Sequence, residues 1–295
     1  MAWRGLHLTQ PARLTLADGQ MVVSQADGDV RLAIEDIAWV VLDTPQATLT
    51  TALIAACMEA GVALITTDAR HTPSGLLLPF HRHHRQAEVA ALQVAASAPL
   101  KKRLWQVIVQ AKIGNQASAL VRCGQDAQAL RAMARNVGSG DPDNVEARAA
   151  RHYWGCLFPA FVRENDADRR NMLLNYGYAI VRSAVARAAV AFGLLPALGL
   201  HHASISNAFN LADDLVEPFR PFVDAVVWGM SQQGRLSDGT PTVADRRTLA
   251  SLLTGEARFG RETVTLLTAS EQTAESLVRA LEAASPALLR LPSLE

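Results

Sequence analysis

The chain has 295 residues, 49% hydrophobic and 19% charged, with 28 Lys+Arg against 28 Asp+Glu. That length and composition exclude a disordered or low-complexity chain and leave room for two domains with real cores. The zero net charge hides a basic middle suited to a polyanion: residues 1–75 carry eight acids against four arginines, whereas 81–122 carry Arg82, Arg85, Lys101, Lys102, Arg103, Lys112 and Arg122 against Glu88 alone.

The first 80 residues read as short strands. "RLTLADGQMVVS" is a hairpin around Asp18-Gly19, and "DVRLAIEDIAWVVLDT" continues with alternating and then unbroken apolar residues. "TTALIAACMEAG" is a short helix ending at Gly61, "VALITTD" is an apolar strand, and a turn at "HTPSG" leads to "LLLPF". Beyond residue 85 the periodicity is helical, over 86–97, 100–123, 125–136, 144–161, 170–193, 206–217, 219–231, 243–253 and 260–284. Loops fall at 138–144, ending in an N-cap at Asp143 or Asn144, and at 237–241. The expected fold is α+β: a small N-terminal mainly-β domain over 1–80, then a larger all-α C-terminal domain over 81–295. Cys57, Cys123 and Cys156 have neither metal-ligand nor CxxC spacing and are expected reduced and buried. Arg4 and His7 interrupt the N-terminus before an apolar run forms, and no window reaches the ~18 apolar residues of a membrane span. The expected location is the cytoplasm, without a membrane partner.

One segment carries more chemistry than a core helix needs: "HHASISNAFNLADDLVEPFRP" opens with His201 and His202 and gathers Asp213, Asp214 and Glu217. On a helix these acids share a face one turn apart and repel one another unless a cation offsets them. Pro218 ends or kinks the helix and turns Glu217 away from it, while Ser204 or Ser206 would serve as the N-cap. His202 reaches Glu217 only if the preceding loop folds back. A mixed His, Asp and Glu set suits Mg²⁺ or Mn²⁺. Glu146, opening "VEARAARHYW", is the candidate third group. Spacing alone leaves the plainer alternatives open: a solvated acidic face, a histidine cap, and a first-turn acid favoured by the helix dipole. Tyr176, Tyr178 and Trp154 are expected in the core.

The blocks "FHRHHRQ" at 80–86, "NVEARAARHYW" around Glu146, "NMLLNYGYAIVRSAVARA" at 171–188 and "GLHHASISNAFNLADDLVEPFRPFVD" at 199–224 follow one another over nearly the whole chain. Together they resemble the CRISPR-associated integrase/endonuclease of the spacer-acquisition complex, in its type II version. The resemblance implies a β domain before a helical domain, and a catalytic metal site of Glu146, His202 and Glu217 binding Mg²⁺ or Mn²⁺. His202 is taken over His201 for its interval to "NLADDLVEP", and Asp214, with His201, stands behind the ligands or in place of one. It implies attack of a DNA 3′-hydroxyl on a phosphodiester of the repeat, with hydrolysis when water attacks. Partners would be double-stranded DNA (protospacer and CRISPR repeat), a second copy of the chain, a small ferredoxin-like CRISPR-associated protein forming a heterohexamer, the RNA-guided effector nuclease and a DNA-end-binding accessory protein. Arg82, His83, His84, Arg85, Lys101, Lys102, Arg103, Arg148 and Arg220 are the candidate DNA contacts. The alternative is a non-catalytic DNA-binding scaffold of the same complex. A prenyl-diphosphate enzyme, suggested by "DDLVE", is disfavoured by the lack of a second acidic motif and by only 5% aromatic residues.

Overall fold

A computed structural model describes residues 2–236 and 239–294. Ser237 and Asp238 of the expected 237–241 loop, and the outermost residues Met1 and Glu295 of the two expected domains, lie outside the described residues. Up to Leu77 the chain forms β1 (Arg4–Leu8), β2 (Ala12–Ala17), β3 (Gln20–Gln25), β4 (Gly28–Ala33), β5 (Ile37–Leu42), β6 (Ala47–Leu49), helix α1 (Thr51–Ala60), β7 (Ala63–Thr67) and β8 (Pro73–Leu77). The hairpin forms where expected: β2 and β3 pair antiparallel, and Asp18 and Gly19 take φ of 51° and 71°, as a two-residue turn requires. "HTPSG" is not the turn. The chain reverses at Asp68–His71, where Asp68 accepts the amides of Arg70 and Thr72, and Pro73 already belongs to β8. An edge strand tolerates a proline because its outward amide has no ladder partner to lose.

These strands make two sheets, ordered β1-β5-β7-β8 and β4-β3-β2-β6. In the first, β1, β5 and β7 run parallel and β8 antiparallel. Its middle strands are buried on both faces, which explains their unbroken apolar runs. From β7, Leu64 faces the second sheet and α1, whereas Ala63 and Ile65 join the core of the helical region. From β5, Ile37, Val40 and Leu42 face one core and Ala38, Trp39 and Val41 the other.

The rest of the chain forms α2 (Gln86–Ala95), α3 (Ala98–Arg122), α4 (Gln128–Arg135), α5 (Val145–Leu157), α6 (Arg169–Ala191), α7 (Asn210–Val216), α8 (Arg220–Gln232), α9 (Val243–Ala250), β9 (Glu256–Phe259), β10 (Glu262–Thr265) and α10 (Leu266–Glu282). The helix expected over 260–284 is thus a hairpin strand followed by a helix: β9 and β10 pair antiparallel around Gly260, and the Thr265 hydroxyl starts α10 by accepting the Thr268 amide. Among the described residues no helix is long and apolar enough to cross a membrane. Cys57 and Cys123 are buried thiols and Cys156 is half-buried; all three are free.

A buried carboxylate ties the β region to the helices. Asp43 accepts from His7 Nε2 at 2.9 Å, His71 Nδ1 at 2.7 Å and, from α9, Arg246 Nε at 2.7 Å. Burial pushes the Asp43 carboxyl up, but these donors outweigh it and hold the group at about 2 against an ordinary 3.8. Removing one member of a buried pair strands the other charge. Asp43→Ala is therefore expected to cost about 3–5 kcal/mol in urea unfolding at neutral pH. The depressed pKa means that this stabilisation is full above the ordinary value and disappears as pH falls through about 2, so the gap between variant and wild type should close there.

Candidate functional site

Helix α3 is the spine of the site. Between Arg103 and Arg122 its only charged side chain is Lys112, which is largely buried, so the fold must supply it with a carboxylate. Trp105 lies two turns before Lys112, on the same face. One turn after Lys112, buried Asn115 donates to the carbonyls of Pro218, at 2.7 Å, and Pro292, at 3.0 Å, pinning the backbone next to Glu217.

The loop before α7 does fold back. Buried Asp214 accepts the amides of Leu200 at 2.5 Å, His201 at 3.1 Å and His202 at 3.0 Å, and the His202 ring Nδ1 at 2.7 Å. This grip needs Gly199: a Cβ there would lie 2.2 Å from the His202 carbonyl oxygen and 2.9 Å from Asp214 Oδ2. Asn210 locks the rest of the loop by donating to the carbonyls of Ala197, Ser204 and Asn207. The expected serine caps are absent, since α7 begins at Asn210, after Phe209, with no side-chain cap. Local hydrogen bonds to Asn207 and Asn210 replace them. Asp213 is held by Arg182 and by Asn207.

The two histidines have different surroundings. The His201 ring stacks flat on Trp105, centroids 4.2 Å apart. The His202 ring packs edgewise on Trp105, and a carboxylate can only accept from its Nδ1, so Nδ1 carries the proton and Nε2 is left for a ligand. The Asp214 bond raises the His202 pKa above 6.5, against the opposing effect of burial, with the charges of Asp214 and Glu217 adding to it.

Helix α7 stops at Val216, and Pro218 converts the next residues into a single 3₁₀ turn, Glu217–Phe219, that leads into α8. Glu217 is 5% exposed, with Oε1 2.8 Å from Arg220 Nε and Oε2 2.5 Å from Lys112 Nζ. Glu146, in the first turn of α5, places Oε1 2.6 Å from the same ammonium. The cap of α5 is neither Asp143 nor the Asn144 side chain: Asp141 reaches over and accepts the amides of Val145 and Glu146, both at 2.9 Å. Burial pushes the Glu217 carboxyl up, but Lys112 and Arg220 outweigh it and keep it ionised. Lys112, which burial alone would push down, is raised by Glu217 and Glu146.

The structure therefore brings Glu146 and Glu217 together around one ammonium, with His202 near enough to Glu217 for their charges to bias each other. Among the described residues no three His, Cys, Asp or Glu groups converge closely enough to hold a metal as they stand. The donor set still suits a divalent cation. Buried Glu217 and the carboxylate of Glu146 share the Lys112 ammonium, and the imidazole of His202, oriented by Asp214, is close enough to feel the Glu217 charge. Behind the acids, Arg220 lies over the Tyr178 ring at 4.7 Å. Asp224, buried and bonded by the Tyr153 and Tyr178 hydroxyls, is pushed up to about 7 by its burial.

Of the other basic candidates, Lys102, Arg103 and Arg148 are exposed and Lys101 is half-buried. Arg82 donates to the Glu59 and Ala60 carbonyls at the end of α1, and Arg85 pairs with Glu88 and Glu282. His83 and His84 stack on each other at 4.8 Å. Sequence reading missed Lys112, Trp105 and Arg182 as parts of the site. The one available signal was the solitary charge in the apolar middle of α3.

A family model described as CRISPR associated protein Cas1 matches residues 6–258. The chain is 38% identical to the CRISPR-associated endonuclease Cas1 of Neisseria meningitidis serogroup C (strain 8013), over 100% of this chain and 97% of that protein. Among solved structures it matches a casposase bound to integration product, with TM-score 0.78 and 19% identity over 97% of this chain and 92% of that one. It also matches a chain of a Cas6-RT-Cas1–Cas2 complex, with TM-score 0.75 and 18% identity over 98% and 36%. The two structural likenesses show the fold.

The grip of Asp214 on His202 can be read in solution. In an NMR pH titration the His202 imidazole of the wild type should have its midpoint above 6.5. Asp214→Asn, which keeps the shape and removes the charge, should lower that midpoint; an unmoved one would separate the two residues.

Proposed function

This chain belongs to the CRISPR-associated Cas1 family, and on that premise we propose that it is a metal-dependent DNA integrase/endonuclease that inserts short foreign DNA segments into a CRISPR array. The observation that carries the reading is the meeting of Glu146 and Glu217, far apart in sequence, on the one ammonium of Lys112. The name of the Neisseria relative, an endonuclease, and the integration product bound to the casposase support it.

A Mg²⁺ or Mn²⁺ ion held by Glu146, His202 and Glu217 would polarise a phosphodiester oxygen and offset the charge that builds on phosphorus. In the joining step the 3′-oxygen of the incoming strand forms a bond to a repeat phosphorus while the bond to the repeat strand's own 3′-oxygen breaks. The attacking hydroxyl loses a proton and the departing oxygen gains one, so the number of phosphodiesters is unchanged. Water as nucleophile gives hydrolysis instead. His202 Nε2, held outward by the bond at Nδ1, serves as ligand or takes the proton. Before an ion binds, Arg220 and Lys112 keep the buried Glu217 ionised. Lys102, Arg103 and Arg148 supply exposed charge for phosphates of the protospacer and the repeat. We assign the remaining contacts to a second copy of the chain and to a small ferredoxin-like partner, in keeping with the Cas2-containing complex of the structural relative. The RNA-guided effector nuclease and the DNA-end-binding protein would dock on that assembly.

Joining of a labelled duplex to a supercoiled, repeat-containing plasmid with Mn²⁺ tests the assignment. Glu146→Ala, His202→Ala and Glu217→Ala should each lower joining by about 100-fold or more while DNA binding persists. Unchanged joining by Glu217→Ala removes the assignment, and no joining by wild type with all partners present favours the scaffold. Alanine at Lys102, Arg103 or Arg148 should weaken DNA binding for every sequence and flatten the salt dependence by about one phosphate each.

A further inference from the structure

We propose that Lys112 is a resident counter-ion that a divalent cation must displace, so that this lysine sets the metal affinity of the site. The inference rests on the metal-site reading above and deepens it. The Lys112 ammonium lies 2.6 Å from Glu146 Oε1 and 2.5 Å from Glu217 Oε2, against both of the carboxylates that would hold an ion. Carboxylate ligands stand at about 2.0–2.1 Å from Mg²⁺, so ammonium and ion cannot both occupy the space against these oxygens. One of them leaves.

The surroundings say which groups stay. Glu217 is set on a 3₁₀ turn whose Pro218 carbonyl is tied to buried Asn115, so the carboxylate is anchored through its backbone. Glu146 lies in a helix start capped by Asp141. Arg220 approaches the other oxygen of Glu217 and is sandwiched against Tyr178, whose hydroxyl is bonded to Asp224. Among the described residues the Lys112 ammonium is held by the two carboxylates alone, and its four-carbon stem is flexible, so it is the mobile member. Buried charge needs a partner. In the metal-free chain the lysine prevents two facing carboxylates from repelling each other, and by doing so it competes with every ion that binds them.

The test titrates Mn²⁺ into the full chain and reads free ion by electron paramagnetic resonance, with thermal unfolding in parallel. Lys112→Met and Lys112→Gln, both uncharged, should bind Mn²⁺ at least tenfold more tightly than wild type. Ion should also raise their Tm by more than it raises that of wild type, because each has lost the internal cation that stabilises its metal-free form. Two different neutral side chains guard against one that packs badly. Glu217→Gln is the control and should lose Mn²⁺ binding. If it does, and both lysine variants bind Mn²⁺ no more tightly than wild type, the displacement proposal fails while the metal site stands. If Glu217→Gln binds Mn²⁺ as wild type does, both fall.

Discussion

Two carboxylates buried within one helical turn, Asp214 and Glu217, impose the constraint from which the rest of the site follows. Neither can stay charged in an apolar bundle without donors. Asp214 meets the requirement with three backbone amides and an imidazole, and that choice folds the preceding loop back and orients His202. Glu217 meets it with two cations, Lys112 and Arg220, and that choice draws α3 and α8 to the same point. Residues of one type three positions apart thus take opposite parts, one holding backbone and the other offering an oxygen to a cation.

Such a site needs a rigid frame. The first sheet is shared by two cores: one face packs on the second sheet and α1, the other on the helical bundle. Asp43 adds a polar tie across the same boundary, joining β-region histidines to Arg246 of α9. In the bundle, α3 carries Trp105, Lys112 and Asn115 along one stretch, so a single helix supports the histidine loop, neutralises both acids and pins the turn that carries one of them. A shift of α3 would disturb all three.

Much of this was legible before folding. The Asp18-Gly19 hairpin, α1 between Thr50 and Gly61, and the break at Pro218 follow from turn, cap and proline chemistry that acts over a few residues. The errors were also local, and each had a rival nearby. "HTPSG" looked like a turn because proline and glycine mark turns, but an edge strand accepts both. Ser204 and Ser206 looked like caps, and two asparagines took over the loop instead. Asn144 stands next to α5, yet the cap is Asp141, whose side chain reaches past it. The β9–β10 hairpin is short enough to merge with the periodicity of the helix that follows.

By itself the sequence determined the order of the blocks and which residues were candidates for the site: the acids and histidines of the "HHASISNAFNLADDLVEP" segment, and Glu146 at a helix start. Side-chain type and short-range backbone preference are written residue by residue, so they survive without a fold. Only the tertiary structure decided what each acid touches, because those contacts span long loops and depend on how helices pack. It turned Asp214 inward to its own loop, stacked His201 on Trp105, and set Lys112 between Glu146 and Glu217. A solitary lysine in an apolar helix announces that it must have a partner, and packing alone chooses which one.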